Sequence, residues 1–290
     1  MDANFLLFFL DGVVFGLILS LIAAGLTLIY GLAGVLNLAH GELLVICTVG
    51  TAVLLQAFNF PLPLALVAGI LLTMGTAAFL EKILLRPVYL LEGEERVLLG
   101  LYMTLSFSIL VHGALITSFP LAFLTINLPV ATVDFMGLTV RTAQIATGVA
   151  SAAILIGVYL FLKKTWNGMA IRSLTQNETG ALIVGVSVKR YRLLVFLLGA
   201  FLVSLAGIIR SVVATVAPES GIEFTILGLL VTVLGGIRSV YGTIVAGLVI
   251  GVVYTFLVVF IGTYLAYVAL LIFIIILILI KPYGIVGERW

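Results

Sequence analysis

Charge is scarce in this sequence. Asp, Glu, Lys and Arg together make up 9% of its 290 residues, against about 25% in an ordinary soluble domain. A chain with so few charged groups cannot cover a water-facing surface, which excludes a free-standing soluble domain. Cysteine is nearly absent as well: Cys47 stands alone in an apolar run, so neither a disulfide framework nor a cysteine-based metal site is available. No GxxxxGK[ST] loop occurs, so the chain does not bind ATP in the P-loop manner, and there is no HExxH metal pair. A GxSxG nucleophile elbow is also missing. These absences leave an intramembrane enzyme as the weakest functional reading.

What fills the sequence is apolar. Hydrophobic residues account for 63%, and the mean hydropathy is +1.38. A membrane span needs roughly 20 apolar residues to cross a hydrocarbon core about 30 Å thick. Runs of that kind recur at about 5–35, 42–58, 62–83, 97–118, 142–162, 191–214, 224–237, 240–261 and 265–280. The expectation is an all-α, polytopic membrane protein of about eight or nine transmembrane helices, because backbone groups in lipid must be satisfied within their own segment. The whole of 1–290 reads as one transmembrane domain. Its first apolar run lacks a basic leader and is too long for a signal core, so it reads as a span.

Lysine and arginine set the expected orientation. Lys82, Arg86 and Arg96 form one basic loop, Lys163, Lys164, Arg172, Lys189, Arg190 and Arg192 another, and Lys281 and Arg289 the tail. Counted over nine spans, all three regions fall on one side, with Asp2, Asp11, Asp134, Glu219 and Glu223 opposite. The basic side is expected in the cytoplasm, the N-terminus outside and the C-terminus inside. Between Phe119 and Arg141, two β-branched stretches punctuated by Pro129 and Gly137 read as an external hairpin or extended loop.

Two distant stretches look alike. Gly25–Gly34 runs into Asn37, His40, Gly41 and Glu42 before a second apolar run; Gly228–Gly236 runs into Arg238, Ser239, Tyr241 and Gly242 before another. Each reads as helix, glycine-rich break, helix. Paired breaks suggest an internal repeat with a substrate path between the halves, which makes Asn37, His40, Glu42, Arg238, Ser239 and Tyr241 the pathway candidates. The plainer reading is two short turns, with Asn37 as a helix cap and Glu42 as a favourable first-turn acid. His112, between Val111 and Gly113, reads as a packed or interfacial histidine. His40 with Glu42 is too small a set for a metal site, and none is expected.

Taken together, several stretches resemble the permease subunits of branched-chain amino acid ABC transporters and their urea and short-amide relatives. They are Ala24–Gly31 running into Asn37–Glu42, Arg86-Pro87 after Glu81, Gly168-Met-Ala-Ile-Arg172 with Asn177, Ala181 and Gly185, Val233–Ser239 with Gly242, and Lys281–Gly287. The match covers nearly the whole chain and is closest to the shorter of the two permease types. The resemblance implies import of a small polar organic solute. It also implies two cytoplasmic ATP-binding subunits, a second related or identical permease subunit, and an extracytoplasmic solute-binding protein. No cofactor is expected in this chain, ATP being bound by the partners, and the location is the inner, cytoplasmic membrane.

The largest basic loop suits ATPase coupling. Asn177, Ala181 and Gly185 stand four apart, which would put them on one face of a helix at about 172–186, with Arg172 and Glu178 beside it. The rival reading is an ion-gradient-driven secondary transporter, which also uses broken helices but usually buries ionisable residues to couple the ion. Apart from Glu42 and Arg238 the spans read as almost bare. Few buried charges suit a solute without net charge, such as an aliphatic amino acid or an amide.

Overall fold

The computed structural model describes residues 2–126, 132–135, 138–281 and 284–285. Eleven α-helices occur among them: α1 (Asp2–Ala33), α2 (His40–Gln56), α3 (Leu62–Phe79), α4 (Gly93–Ser118), α5 (Thr142–Lys164), α6 (Trp166–Gln176), α7 (Glu178–Ile183), α8 (Val188–Val213), α9 (Ser220–Gly235), α10 (Val240–Ile261) and α11 (Thr263–Ile280). Nine are apolar. Seven of these are long enough to cross a membrane, and α2 and α9, at 17 and 16 residues, are shorter. The nine apolar helices fall where the nine apolar runs predict them.

The stretch after α4 contains an antiparallel pair, β1 (Thr132–Phe135) and β2 (Leu138–Arg141), in register from Thr132 opposite Arg141 to Phe135 opposite Leu138. The second of the two β-branched stretches thus pairs with Leu138–Arg141 and not with the first, whose Leu124 bridges Val216; residues 127–131 and 136–137 lie outside the described residues, as do 282–283 and 286–287 of the Lys281–Gly287 stretch.

α1 is the axis of the bundle. Ile18, Leu19, Leu21 and Ile22 are fully buried, so four nearly consecutive positions face protein all round, as expected for a central helix apolar on every side. Its tightest neighbour is α10. A Cβ on Gly16 would come within 2.7 Å of the Gly247 carbonyl oxygen, so glycine here permits backbone-to-backbone packing, the usual role of small residues between membrane helices.

The loops collect at two ends. At one, Leu124 bridges Val216, Ile126 N–H donates to the Ser211 carbonyl at 2.8 Å, and Gln56 reaches Phe123. At the other, the Arg192 guanidinium lies 4.3 Å from the Tyr89 ring centre, and Ile285 N–H donates to the Leu234 carbonyl at 2.7 Å. The basic loops thus share one end of the bundle.

Candidate functional site

The first break is a re-entrant segment. α1 stops at Ala33 because Gly34 adopts a φ of +65° and donates its N–H to the Tyr30 carbonyl at 2.9 Å, a glycine stop of the left-handed kind. Residues 34–39 then fold back along α1. His40 donates from Nε2 to the Ile22 carbonyl at 3.1 Å. Ile22 lies eleven residues before Ala33, about 16 Å down the axis, so α2 begins level with the middle of α1.

Non-helical backbone at such a level requires partners from protein. Thr104 of α4 supplies them: its hydroxyl accepts from Leu38 N–H at 3.2 Å and donates to the Leu36 carbonyl at 3.2 Å. The Asn37 side-chain oxygen accepts from Ala39 N–H at 3.1 Å. Thr104→Val therefore leaves a buried donor and acceptor without this partner, a loss of about 1–3 kcal/mol. The expected result is a lower thermal midpoint for the detergent-purified protein, whereas Ser106→Ala, on the exposed side of α4, leaves the midpoint unchanged.

Asn37, His40 and Glu42 are all fully buried. Glu42 lies in the first turn of α2 and against the first turn of α9, where a Cβ on Gly221 would collide with its carboxylate. Gly41 N–H donates to the Thr225 hydroxyl at 2.9 Å. Glycine at 41 and 221 lets the two helix starts cross at backbone contact, and the carboxylate is placed where two helix N-termini favour negative charge. Its nearest basic side chain is His112, with Nδ1 at 3.2 Å from Oε1. The structure therefore packs His112, 23% exposed, against Glu42. Among the described residues, Asn37 Nδ2, His40 Nδ1, both Glu42 carboxyl oxygens and His112 Nδ1 are buried without a hydrogen-bond partner.

The second break is a short turn. α9 ends at Gly235, Gly236 takes a φ of +98°, and the Ser239 hydroxyl caps α10 by accepting from Gly242 N–H at 3.1 Å. Thr243 pairs with Thr27 of α1 at 2.9 Å. Ile22 and Thr27, the anchors of the two breaks, stand five residues and about 140° apart around α1, so the breaks flank α1 on different faces. Arg238 is exposed and Tyr241 is 60% exposed. Asn37, His40 and Glu42 are thus brought together, and Arg238, Ser239 and Tyr241 form a separate group at the basic end.

Residues 8–280 match the family described as branched-chain amino acid transport system, permease component. The chain belongs to this family. Among its relatives are a probable branched-chain amino acid transport permease protein, LivH, of Methanocaldococcus jannaschii, 26% identical over 96% of this chain and 91% of that one. BraD, the high-affinity branched-chain amino acid transport system permease protein of Pseudomonas aeruginosa, is 26% identical over 96% and 94%, and LivH of Escherichia coli 24% identical over 96% and 94%. A chain of PsaBC from Streptococcus pneumoniae, solved in complex with Fab, has a similar fold, with a TM-score of 0.51 at 15% identity over 98% of this chain and 97% of that one.

At the basic end of the permease, the expected single helix over 172–186 is corrected to two. α6 ends at Gln176, and Asn177 caps α7 by accepting from Gly180 N–H at 2.9 Å. Gly185 lies beyond α7 with a φ of +85°, so Asn177, Ala181 and Gly185 do not share a helix face. Ala181 is buried at 4% exposure and points into the permease itself. Glu178 pairs with Arg192 at 3.0 Å, and Arg172 is exposed. Three consecutive apolar side chains are left bare at the end of α7: Leu182 at 52%, Ile183 at 81% and Val184 at 75% exposure. Clustered apolar exposure of this kind marks an interaction surface.

Two sets of residues escape the sequence reading. Gly100, Thr104 and Ser108 stand four apart on α4 in line with His112, and Gly100 and Thr104 meet the first break; their spacing is a signal, but a faint one among apolar neighbours. Arg210, in the last turn of α8, is an ionisable residue inside a span.

Proposed function

We propose that the permease is the membrane-spanning subunit of an ABC importer for branched-chain or other small hydrophobic amino acids. Two cytoplasmic ATP-binding subunits, a second related or identical permease and an extracytoplasmic solute-binding protein complete it. It sits in the inner membrane with its N-terminus outside and its C-terminus in the cytoplasm. The observation that carries the ABC reading is the apolar tip of α7, bare at the end of the bundle that gathers the basic loops. A partner on that side would cover it, and the positive-inside rule puts that side in the cytoplasm. The buried polar group at Asn37, His40 and Glu42 supports a solute path beside α1.

Uptake of labelled leucine into membrane vesicles, with and without ATP and the ATPase subunits, tests the function. ATP-dependent uptake that survives collapse of ion gradients is the expected result. The Glu42–His112 pair is the kind of buried ionisable group that gradient-driven carriers use, and uptake that follows an ion gradient without ATP would favour that reading. For orientation, Phe58→Cys and Thr179→Cys in a Cys47→Ala background are expected to label from the outside and the inside respectively. Labelling of both from one side would overturn the topology.

A further inference from the structure

At the end of the bundle away from the basic loops, five helices converge on a cluster that the pathway above does not use. The Arg210 guanidinium of α8 lies 5.4 Å from the ring centre of Phe15 on α1, and its Nε is buried without a hydrogen-bond partner. The Tyr254 ring of α10 is 5.5 Å from Phe15 and 5.1 Å from Tyr267 of α11. The Tyr267 hydroxyl donates to Glu223 in the first turn of α9. One chain of contacts thus runs from Arg210 through Phe15, Tyr254 and Tyr267 to Glu223, and no contact ion pair between Arg210 and Glu223 occurs among the described residues.

Helix dipoles favour an arginine in a last turn and a glutamate in a first turn. They do not require an arginine Nε buried without a partner, nor an aromatic floor between the two charges. A cation and an anion held apart over aromatic rings each retain capacity for an opposite charge on one ligand. The guanidinium fork suits a carboxylate, the Glu223 carboxylate suits an ammonium, and Phe15 with Tyr254 offers apolar surface between them. A simple anion would meet repulsion from Glu223, and a simple cation would meet it from Arg210. Glu223 is also two residues from Gly221, which touches Glu42, so the first turn of α9 links this cluster to the buried polar group.

We propose that Arg210, Glu223 and Tyr267 form an entry site for a zwitterionic solute, the carboxylate on Arg210 and the ammonium on Glu223. The proposal rests on the amino-acid importer reading and specifies which charges of the solute the permease itself contacts. A phosphatidylethanolamine headgroup carries the same pair of charges, so the test separates lipid from free solute.

The test uses the permease in nanodiscs of phosphatidylglycerol, with saturation-transfer NMR of leucine, leucinamide (no carboxylate) and N-acetyl-leucine (no ammonium). Wild type is expected to bind leucine about tenfold or more tightly than either analogue. Arg210→Gln and Glu223→Gln should each weaken leucine binding about ten- to a hundredfold, the range for a charge-assisted hydrogen bond. The diagnostic is selectivity: Arg210→Gln should erase the preference over leucinamide alone, and Glu223→Gln the preference over N-acetyl-leucine alone. Equal losses for all three ligands, or unchanged leucine binding, would overturn the site. Retention of phosphatidylethanolamine that depends on Arg210, measured by mass spectrometry of the purified protein without leucine selectivity, would also overturn it in favour of a lipid site. Should Arg210→Gln fail to fold, Glu223→Gln, an exposed carboxylate, carries the test. Wild-type vesicles that import leucine while both variants import it at the same rate would reject this site alone; wild-type vesicles that import no amino acid would reject the importer reading itself.

Discussion

His112→Leu is expected to be among the most destabilising single changes in this permease. It removes the one basic side chain within 4 Å of the fully buried Glu42 carboxyl group among the described residues. Where such a pair is ionised, breaking it from one side costs about 3–5 kcal/mol because a charge is left uncompensated, whereas replacing both members by apolar residues is often neutral. The double variant Glu42→Leu/His112→Leu should therefore recover much of the loss. The measurement is the fraction of monodisperse protein surviving a temperature ramp in detergent, a kinetic readout suited to irreversible unfolding. A His112→Leu protein as robust as wild type would show that Glu42 does not depend on the pair. Gly221→Ala should destabilise by a different route, since its added methyl group meets the same carboxylate.

Ile183→Asp should act in the opposite way, sparing the chain and harming its assembly. Ile183 is 81% exposed at the end of α7, so an aspartate there breaks no internal contact. If this tip inserts into an ATP-binding subunit, a central apolar anchor lost from that contact costs at least about 2 kcal/mol, about a thirtyfold weaker association. Normal membrane abundance with weakened co-purification of the ATP-binding subunits is the expected outcome. Wild-type association for both Ile183→Asp and Leu182→Asp would remove α7 as the docking element. Ala181→Trp serves as a contrast: that side chain faces inward, so the damage should appear in the isolated permease as well.

The apolar helices, their order, the glycine breaks and the hairpin were legible because they depend on local composition. A run of about 20 apolar residues becomes a helix in lipid for want of any other way to satisfy its backbone. A glycine at φ near +65° or +98° ends one helix, and a β-branched pair around a turn makes a hairpin. The inner loop was legible in place but not in face. The spacing of Asn177, Ala181 and Gly185 implied one continuous helix, but the Asn177 cap and the left-handed Gly185 bound a six-residue helix between them. That change of frame turns Ala181 inward and bares Leu182, Ile183 and Val184.

By itself, the sequence determined that the chain lives in lipid, where its nine apolar helices lie, and which end collects the basic loops. Hydropathy, glycine and charge placement act over tens of residues or fewer. Only the tertiary structure decided that the first break folds back to the middle of α1 while the second is a short turn. Only it decided that Glu42 meets His112 across 70 residues of sequence, and that Arg210 and Glu223 share one aromatic floor. The reason is that a buried charge is tolerated only where packing from distant helices supplies its partner.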